Sequence, residues 1–382
     1  MITRLIMRRI ASHYALVNGA LERDIVVTVD DHGTITDVAR HKAIDSLASV
    51  EFYPGILIAG MINAHCHLEL SYLGGAIAEA TGFAGFAREI GRVRGNYTTE
   101  ERLHAARVAD AAMWHEGVEV VVDIANDDLV MGIKEQSKID YYTLFETFGL
   151  MTQSPNAQRA MAAKYHNAGV TPHSTYSLQD ATFRAISSEG TMPLSVHYLE
   201  SDDEVALYHK SGSLWEWYTR MGWECDFLHY GHPTRRIVES IASDRSTLLI
   251  HCSKATESDV ATALGHFKVA PTWVLCPESN RYISGITPPV AMLRKEGATI
   301  AIGTDSRASA RHLSMIANMR LLGEVPLAEL LTYATLNGAK ALGIDEVKGS
   351  IEVGKRPGLV VISNVDMEHM QLTDQSLATR II

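Results

Sequence analysis

A chain of 382 residues, 46% hydrophobic and 21% charged, holds enough sequence for one large core with an appendage, and that balance excludes a disordered or fibrous protein. Its 34 Lys and Arg face 45 Asp and Glu, and the formal charge of -11 repels phosphate backbones and anionic lipid, so nucleic acid and membrane are excluded as expected partners. Cys66, Cys225, Cys252 and Cys276 lie far apart with no C-x-x-C pair, no apolar run approaches the roughly 20 residues of a membrane span, and the N-terminus lacks a signal-peptide pattern, which together predict a cytoplasmic protein.

In chain order, residues 14–17 and 24–29 alternate as short strands broken by Asn18-Gly19 and by Asp30-Asp-His-Gly33, which predicts hairpins. The other end does the same around 349–354 and 359–362. The two flanks, 1–54 and 346–382, are therefore expected to pair into one small β-sandwich around a middle spanning 55–345. In that middle, β-rich runs alternate with amphipathic windows. Strands are expected at 56–58 leading to His65, then at 119–122, 141–145, 169–171, 194–197, 247–250, 272–275 and 298–302. Helices between them include 100–115 and, closing the segment, 327–342. Eight strands with interleaved helices predict an α/β protein of the TIM-like (β/α)8 barrel class, whose chemistry belongs at the C-terminal strand ends.

Several of those strand ends carry residues able to bind metal. His65 and His67 in Asn63-Ala-His-Cys-His-Leu-Glu69 alternate along one strand, so both imidazoles point one way while Cys66 points into the layer behind the wall. His197 ends the fifth predicted strand, His251 the sixth, and Asp305 follows the eighth in Gly303-Thr-Asp-Ser306. Imidazole nitrogens with a carboxylate suit Zn(II) or Fe(II) with one position left open for water. A near phosphate loop, Gly349 to Lys355, lacks the required Ser or Thr at Arg356, and His229 and His232 end no predicted strand and are read as loop or lid packing.

These residues also carry a resemblance. Pro54 through His67, His197-Tyr-Leu-Glu200, Leu249-Ile-His-Cys252, Cys276-Pro-Glu-Ser-Asn280 and Gly303-Thr-Asp-Ser306 together resemble the amidohydrolase superfamily, in its branch of cytosine, methylthioadenosine/S-adenosylhomocysteine and aminofutalosine deaminases. The resemblance covers nearly the whole chain, because the terminal β pieces are similar to that family's composite sandwich.

The resemblance implies one divalent metal, zinc or Fe(II), held by His65, His67, His197 and Asp305. It makes Glu200 the proton shuttle and has His251 hold the hydrolytic water. Where dinuclear relatives place a bridging lysine this chain has His173, which implies a mononuclear site and a substrate contact. Glu69 and Glu146 complete the candidate substrate-binding set, each with a structural alternative: support behind the metal pair for Glu69, a strand-end packing role for Glu146. The implied activity is hydrolytic deamination of an aminated heterocycle, foremost the 6-amino group of an adenosine-type nucleoside. The alternatives are a chlorohydrolase or cyclic amide hydrolase of the same superfamily, or a catalytically inactive scaffold. The partner is a small-molecule substrate, and pairing with a second copy is compatible with the sequence.

Overall fold

The computed structural model of the chain describes residues 7–40 and 49–382, so residues 1–6 and 41–48 of the expected N-terminal flank lie outside the described residues. The early strands are short: β1 (Arg8–Ala11), β2 (Tyr14–Val17), β3 (Ala20–Glu22), β4 (Ile25–Val29), β5 (Ile35–Arg40), β6 (Val50–Phe52) and β7 (Ile56–Ala59). Asn18 and Gly19 both take positive φ, 51° and 75°, the turn whose twist suits the antiparallel β2–β3 pair. There follow β8 (Met61–Cys66), β9 (Val118–Ala125), β10 (Asp140–Thr147), β11 (Ala168–Pro172), β12 (Leu194–Tyr198), β13 (Thr247–His251), β14 (Thr272–Leu275) and β15 (Thr299–Ile302). β16 (Leu359–Ser363) and β17 (Leu377–Arg380) finish the chain.

Both ends of the chain meet in the sheet β17-β16-β7-β2-β3, which faces a second sheet, β5-β4-β1-β6. Ile10, Val27, Val29, Leu57, Leu359 and Val361 share the core between them. The strands β8 to β15 form two parallel four-stranded sheets, β11-β10-β9-β8 and β12-β13-β14-β15. Backbone bridges join these sheets at both seams, Cys66 with Asp305 and Ser174 with His197, and so bring the eight strands into a ring. At the first seam the His65 carbonyl accepts from the Thr304 and Asp305 N–H groups at 2.9 and 3.0 Å. At the second, the His197 N–H donates to the His173 carbonyl at 2.9 Å. The fold is thus a TIM-like barrel with separate terminal β-sheets, and no helix among the described residues is long and apolar enough to cross a membrane.

Two expectations are corrected. Residues 56–58 are not the first barrel strand: β7 pairs antiparallel with β16 and parallel with β2, and the first barrel strand is β8. The cause is burial on both faces, because Ile56 and Ile58 pack towards the barrel helices while Leu57 and Ala59 pack into the terminal sheets' core, and a two-sided strand reads like a parallel one. The break falls at Gly60, where an added Cβ would lie 2.6 Å from the Pro357 carbonyl oxygen and 2.7 Å from Glu119 Cβ. Likewise 327–342 is not one helix but two, Leu327–Tyr333 and Leu336–Leu342. The interruption at Ala334 and Thr335 frees the Ala334 carbonyl to accept the Ile62 N–H at 2.8 Å, and it sets Gly338 against Ile62. The 100–115 helix runs Thr99–Glu116, started by a reciprocal capping box between Thr98 and Glu101.

One buried ion pair ties the first barrel strand's exit to the wall. Asp123 on β9 accepts the Leu68 N–H at 2.7 Å, immediately after His67, and its other oxygen pairs with the Lys134 ammonium. Lys134 in turn donates to Thr143 Oγ1 on β10 at 3.1 Å. Replacing Lys134 with Met should leave Asp123 as an unpaired buried charge and cost about 3–5 kcal/mol in urea unfolding. A loss below about 1 kcal/mol would show that the pair does not carry this junction.

Candidate active site

The metal-competent residues come from the two seams. β8 delivers His65, and the chain delivers His67 one residue past its end; their rings sit edge to face at 4.9 Å. Across the first seam, Asp305 Oδ1 lies 3.7 Å from His65 Nε2 and 3.6 Å from His67 Nε2. From the second seam His197 brings its ring to 4.9 Å from His65. The Nδ1 of His197 donates to the His173 carbonyl at 2.7 Å, which leaves Nε2 as the free nitrogen. Ligand atoms of His65, His67, His197 and Asp305 all lie within 4.8 Å of one another, and all four residues are buried.

This cluster is incompletely satisfied by protein. Both nitrogens of His65 and Nδ1 of His67 are buried without a hydrogen-bond partner among the described residues. Burial pushes the His67 and His197 imidazoles below their ordinary range, so they are neutral donors. Burial works against the Asp305 charge as well, but the nearby His65 imidazole and its neighbours His67 and His251 outweigh it and hold that carboxyl well below the usual range. Its Oδ2 accepts from both Ser279 Oγ and Ser309 Oγ at 2.6 Å, which turns Oδ1 towards the histidines. Neutral imidazoles and one oriented carboxylate around a buried gap fit a single divalent cation.

Glu200 stands outside this set on the turn after β12, where Leu199 takes φ 47°. Its Oε1 is 3.6 Å from His251 Nε2, and Tyr176 donates its hydroxyl to Oε2 at 3.3 Å. The Glu200 N–H is held by Glu204 Oε2 at 3.0 Å. Burial, reinforced by the charges of Asp305 and Glu204, pushes the Glu200 carboxyl well above its ordinary range. His251, at φ 75°, has its Nδ1 paired with Asn280 Nδ2 at 3.2 Å, and burial lowers it to about 3.

A cavity of about 390 Å³ opens onto this cluster, with His67, His197, Glu200, His251 and Asp305 at its floor. His173 and Glu146 line it too: His173 stacks on His197 at 4.6 Å, and Glu146 accepts from Asn126 Nδ2 at 2.6 Å while its Oε2 is buried without a partner. Glu69 is the exception among the candidates. It does not line the cavity but sits behind it, its Oε2 accepting the Asn126 N–H at 3.0 Å, and burial raises its carboxyl to about 8. It therefore shapes the loop that presents Asn126, because the helical turn after His67 carries its side chain away from the mouth. His232 caps the helix Pro233–Ser240 and His229 is hydrogen-bonded to the Asp226 carbonyl, both away from the cavity.

Sequence reasoning missed Asn126, Tyr176, Ser279, Ser309 and Glu204. Ser279 lay in view in Cys276-Pro-Glu-Ser-Asn280, and Ser309 lies four residues after Asp305. Glu204 gives no such signal, since its role depends on a turn that sequence does not display.

Comparison with known proteins agrees with this architecture. The chain is 25% identical over 351 residues to the 5-methylthioadenosine/S-adenosylhomocysteine deaminase of Thermoanaerobacter pseudethanolicus, covering 82% of this chain and 74% of that one. Aminofutalosine deaminase of Helicobacter pylori, solved in complex with methylthio-coformycin, superposes with a TM-score of 0.81 at 22% identity over 93% of this chain and 92% of its own. An adenosine deaminase of Xanthomonas campestris with bound zinc gives 0.76 at 23% identity, over 94% and 85%. The amidohydrolase family model matches residues 56–377, most of the chain, and the chain belongs to the amidohydrolase family.

Proposed function

We propose that the protein is a metal-dependent hydrolytic deaminase that removes the 6-amino group of an adenosine-type nucleoside as ammonia. The observation that carries this reading is the placement of Glu200: a buried acid, raised towards its protonated form, opposite the four-residue cluster and in the same cavity. The names of the deaminases that this chain is similar to support the nucleoside, of which methylthioadenosine, S-adenosylhomocysteine and aminofutalosine are the candidates. His65, His67, His197 and Asp305 would hold one divalent ion, for which we propose zinc on the donor set and on the zinc of the Xanthomonas relative. Such an ion acidifies a water enough to make it a nucleophile near neutral pH.

The chain's own residues do the rest. Glu200 gives its proton to the purine N1, which removes the aromatic resistance to attack at C6. Asp305 Oδ1 takes the proton of the attacking water, and the His251 imidazole, fixed by Asn280, holds that water in line. Glu200, now a carboxylate, takes the proton of the new C6 hydroxyl and delivers it to the departing amine, and the proton on Asp305 passes back to Glu200, which restores both carboxyls. Water and a 6-aminopurine thus become ammonia and a 6-oxopurine. His173 and Glu146, side by side on the cavity wall, contact the substrate in this proposal. The four free cysteines suit a reducing cytosol as the working compartment.

Incubating metal-loaded protein with each candidate nucleoside, following the adenine-to-hypoxanthine absorbance change and assaying ammonia, tests the reading. All candidates and adenosine inert, with guanine, cytosine or a chlorotriazine turned over, would overturn it. Glu200→Gln should retain metal and fold while kcat falls by about 10²- to 10⁴-fold, and a variant within about twofold of wild type would remove Glu200 from the mechanism. The double variant Ser279→Ala, Ser309→Ala should bind metal about 10- to 100-fold more weakly in a chelator competition. Unchanged affinity would show that the two hydroxyls do not orient Asp305.

A further inference from the structure

Between β12 and β13 the chain buries a cation that the proposed chemistry does not use. On the helix Pro233–Ser240, Arg235 faces outward and pairs with Glu239, while the next residue, Arg236, turns inward and is fully buried. Its guanidinium carbon lies 4.1 Å from the Phe227 ring centroid and 4.5 Å from that of Phe183, and it forms no ion pair with a described carboxylate. An apolar side chain would fill the space between the two rings at far less desolvation cost, so packing alone does not account for a charge here.

What the fork does is hold two carbonyls at once. Arg236 Nη1 donates to the Thr175 carbonyl at 2.8 Å and Nη2 to the Leu178 carbonyl at 2.9 Å, both on the turn that follows β11. Tyr208 adds its hydroxyl to the Thr175 carbonyl at 2.6 Å. Glu204 ties this turn to the next one, because one of its oxygens accepts from Thr175 Oγ1 and the other from the Glu200 N–H at 3.0 Å. Between the two pinned carbonyls sits Tyr176, which lines the cavity and donates its hydroxyl to Glu200 Oε2 at 3.3 Å. That contact leaves Oε1 as the oxygen beside His251, and it favours the carboxylate that Glu200 becomes once its proton has gone to the purine.

We infer that Arg236 is a positioning residue for the deamination: it fixes the turn 175–178 and, through it, the Tyr176 hydroxyl on the Glu200 carboxyl. This inference rests on the role of Glu200 in the nucleoside reading above. The test is a double-mutant cycle of Arg236→Met and Tyr176→Phe, with metal-loaded protein and with methylthioadenosine, S-adenosylhomocysteine and adenosine as probes. Methionine keeps the packing between the rings and removes the fork. Arg236→Met should keep its metal and a KM within about threefold of wild type while kcat falls about 10-fold or more, and in the Tyr176→Phe background the same change should cost less than about twofold. A kcat within about twofold of wild type, or an equal loss in both backgrounds, overturns the inference, because a residue that only supports the fold acts independently of the Tyr176 hydroxyl. If Arg236→Met does not fold, Arg236→Lys, which keeps the charge but reaches one carbonyl at a time, takes its place in the cycle. A kcat loss of about threefold or more that vanishes in the Tyr176→Phe background then upholds the inference, and a smaller loss, or one equal in both backgrounds, overturns it. If wild type releases ammonia from none of the probes, the nucleoside reading fails, and crystal structures of wild type and variant decide the inference alone. A Tyr176 hydroxyl out of hydrogen-bond reach of Glu200 in the variant supports it, and an unchanged contact overturns it.

Discussion

Three imidazoles and a carboxylate share a gap less than 5 Å across at the barrel mouth, with three of the imidazole nitrogens buried and unpaired. Leaving a buried polar group without a partner costs about 1–3 kcal/mol, and a divalent cation held by the cluster would take up the one that faces Asp305, His65 Nε2. The geometry of the gap is set by the backbone before any side chain is considered. The two parallel half-sheets meet at two seams, and the bridges that join them run through Cys66 and Asp305 on one side and Ser174 and His197 on the other. Joining the half-sheets and assembling the cluster are therefore the same event.

The same burial sets the character of the acid that we propose for the reaction. Glu200 is raised because it is buried among charges of its own sign, and its backbone N–H is held by a second buried carboxyl, Glu204, itself raised to about 7. Positive φ at Leu199, His251 and Asp305 marks the three strand-end turns that aim these groups inward. Local backbone strain of this kind persists only where surrounding contacts fix it, here the hydrogen bonds of Glu204, Asn280 and the Ser279–Ser309 pair.

Much of this was legible in the sequence because strand ends and metal donors are local signals. His65 and His67 announce themselves by spacing, and His197, His251 and Asp305 by following β-rich runs. The misplacement of the first barrel strand has a physical source: Ile56 to Ala59 is buried on both faces between two cores, so its pattern is that of a parallel strand. Glu69 misled for a related reason, since adjacence to His67 in sequence does not survive the helical turn that follows. What sequence did not carry is long-range pairing. Asp123 with Lys134, Asn126 with Glu146, and the two serines on Asp305 depend on which strands become neighbours.

We propose that the seams create one cation site and not two. Glu146, His173 and His197 also lie within 4.8 Å of one another, but His197 belongs to both groups and has a single free nitrogen. Elemental analysis of active protein, combined with anomalous diffraction to locate the ion, tests this directly. One metal per chain is expected, among His65, His67, His197 and Asp305. Two metals per active chain, or a single ion bound at Glu146 and His173, would contradict it.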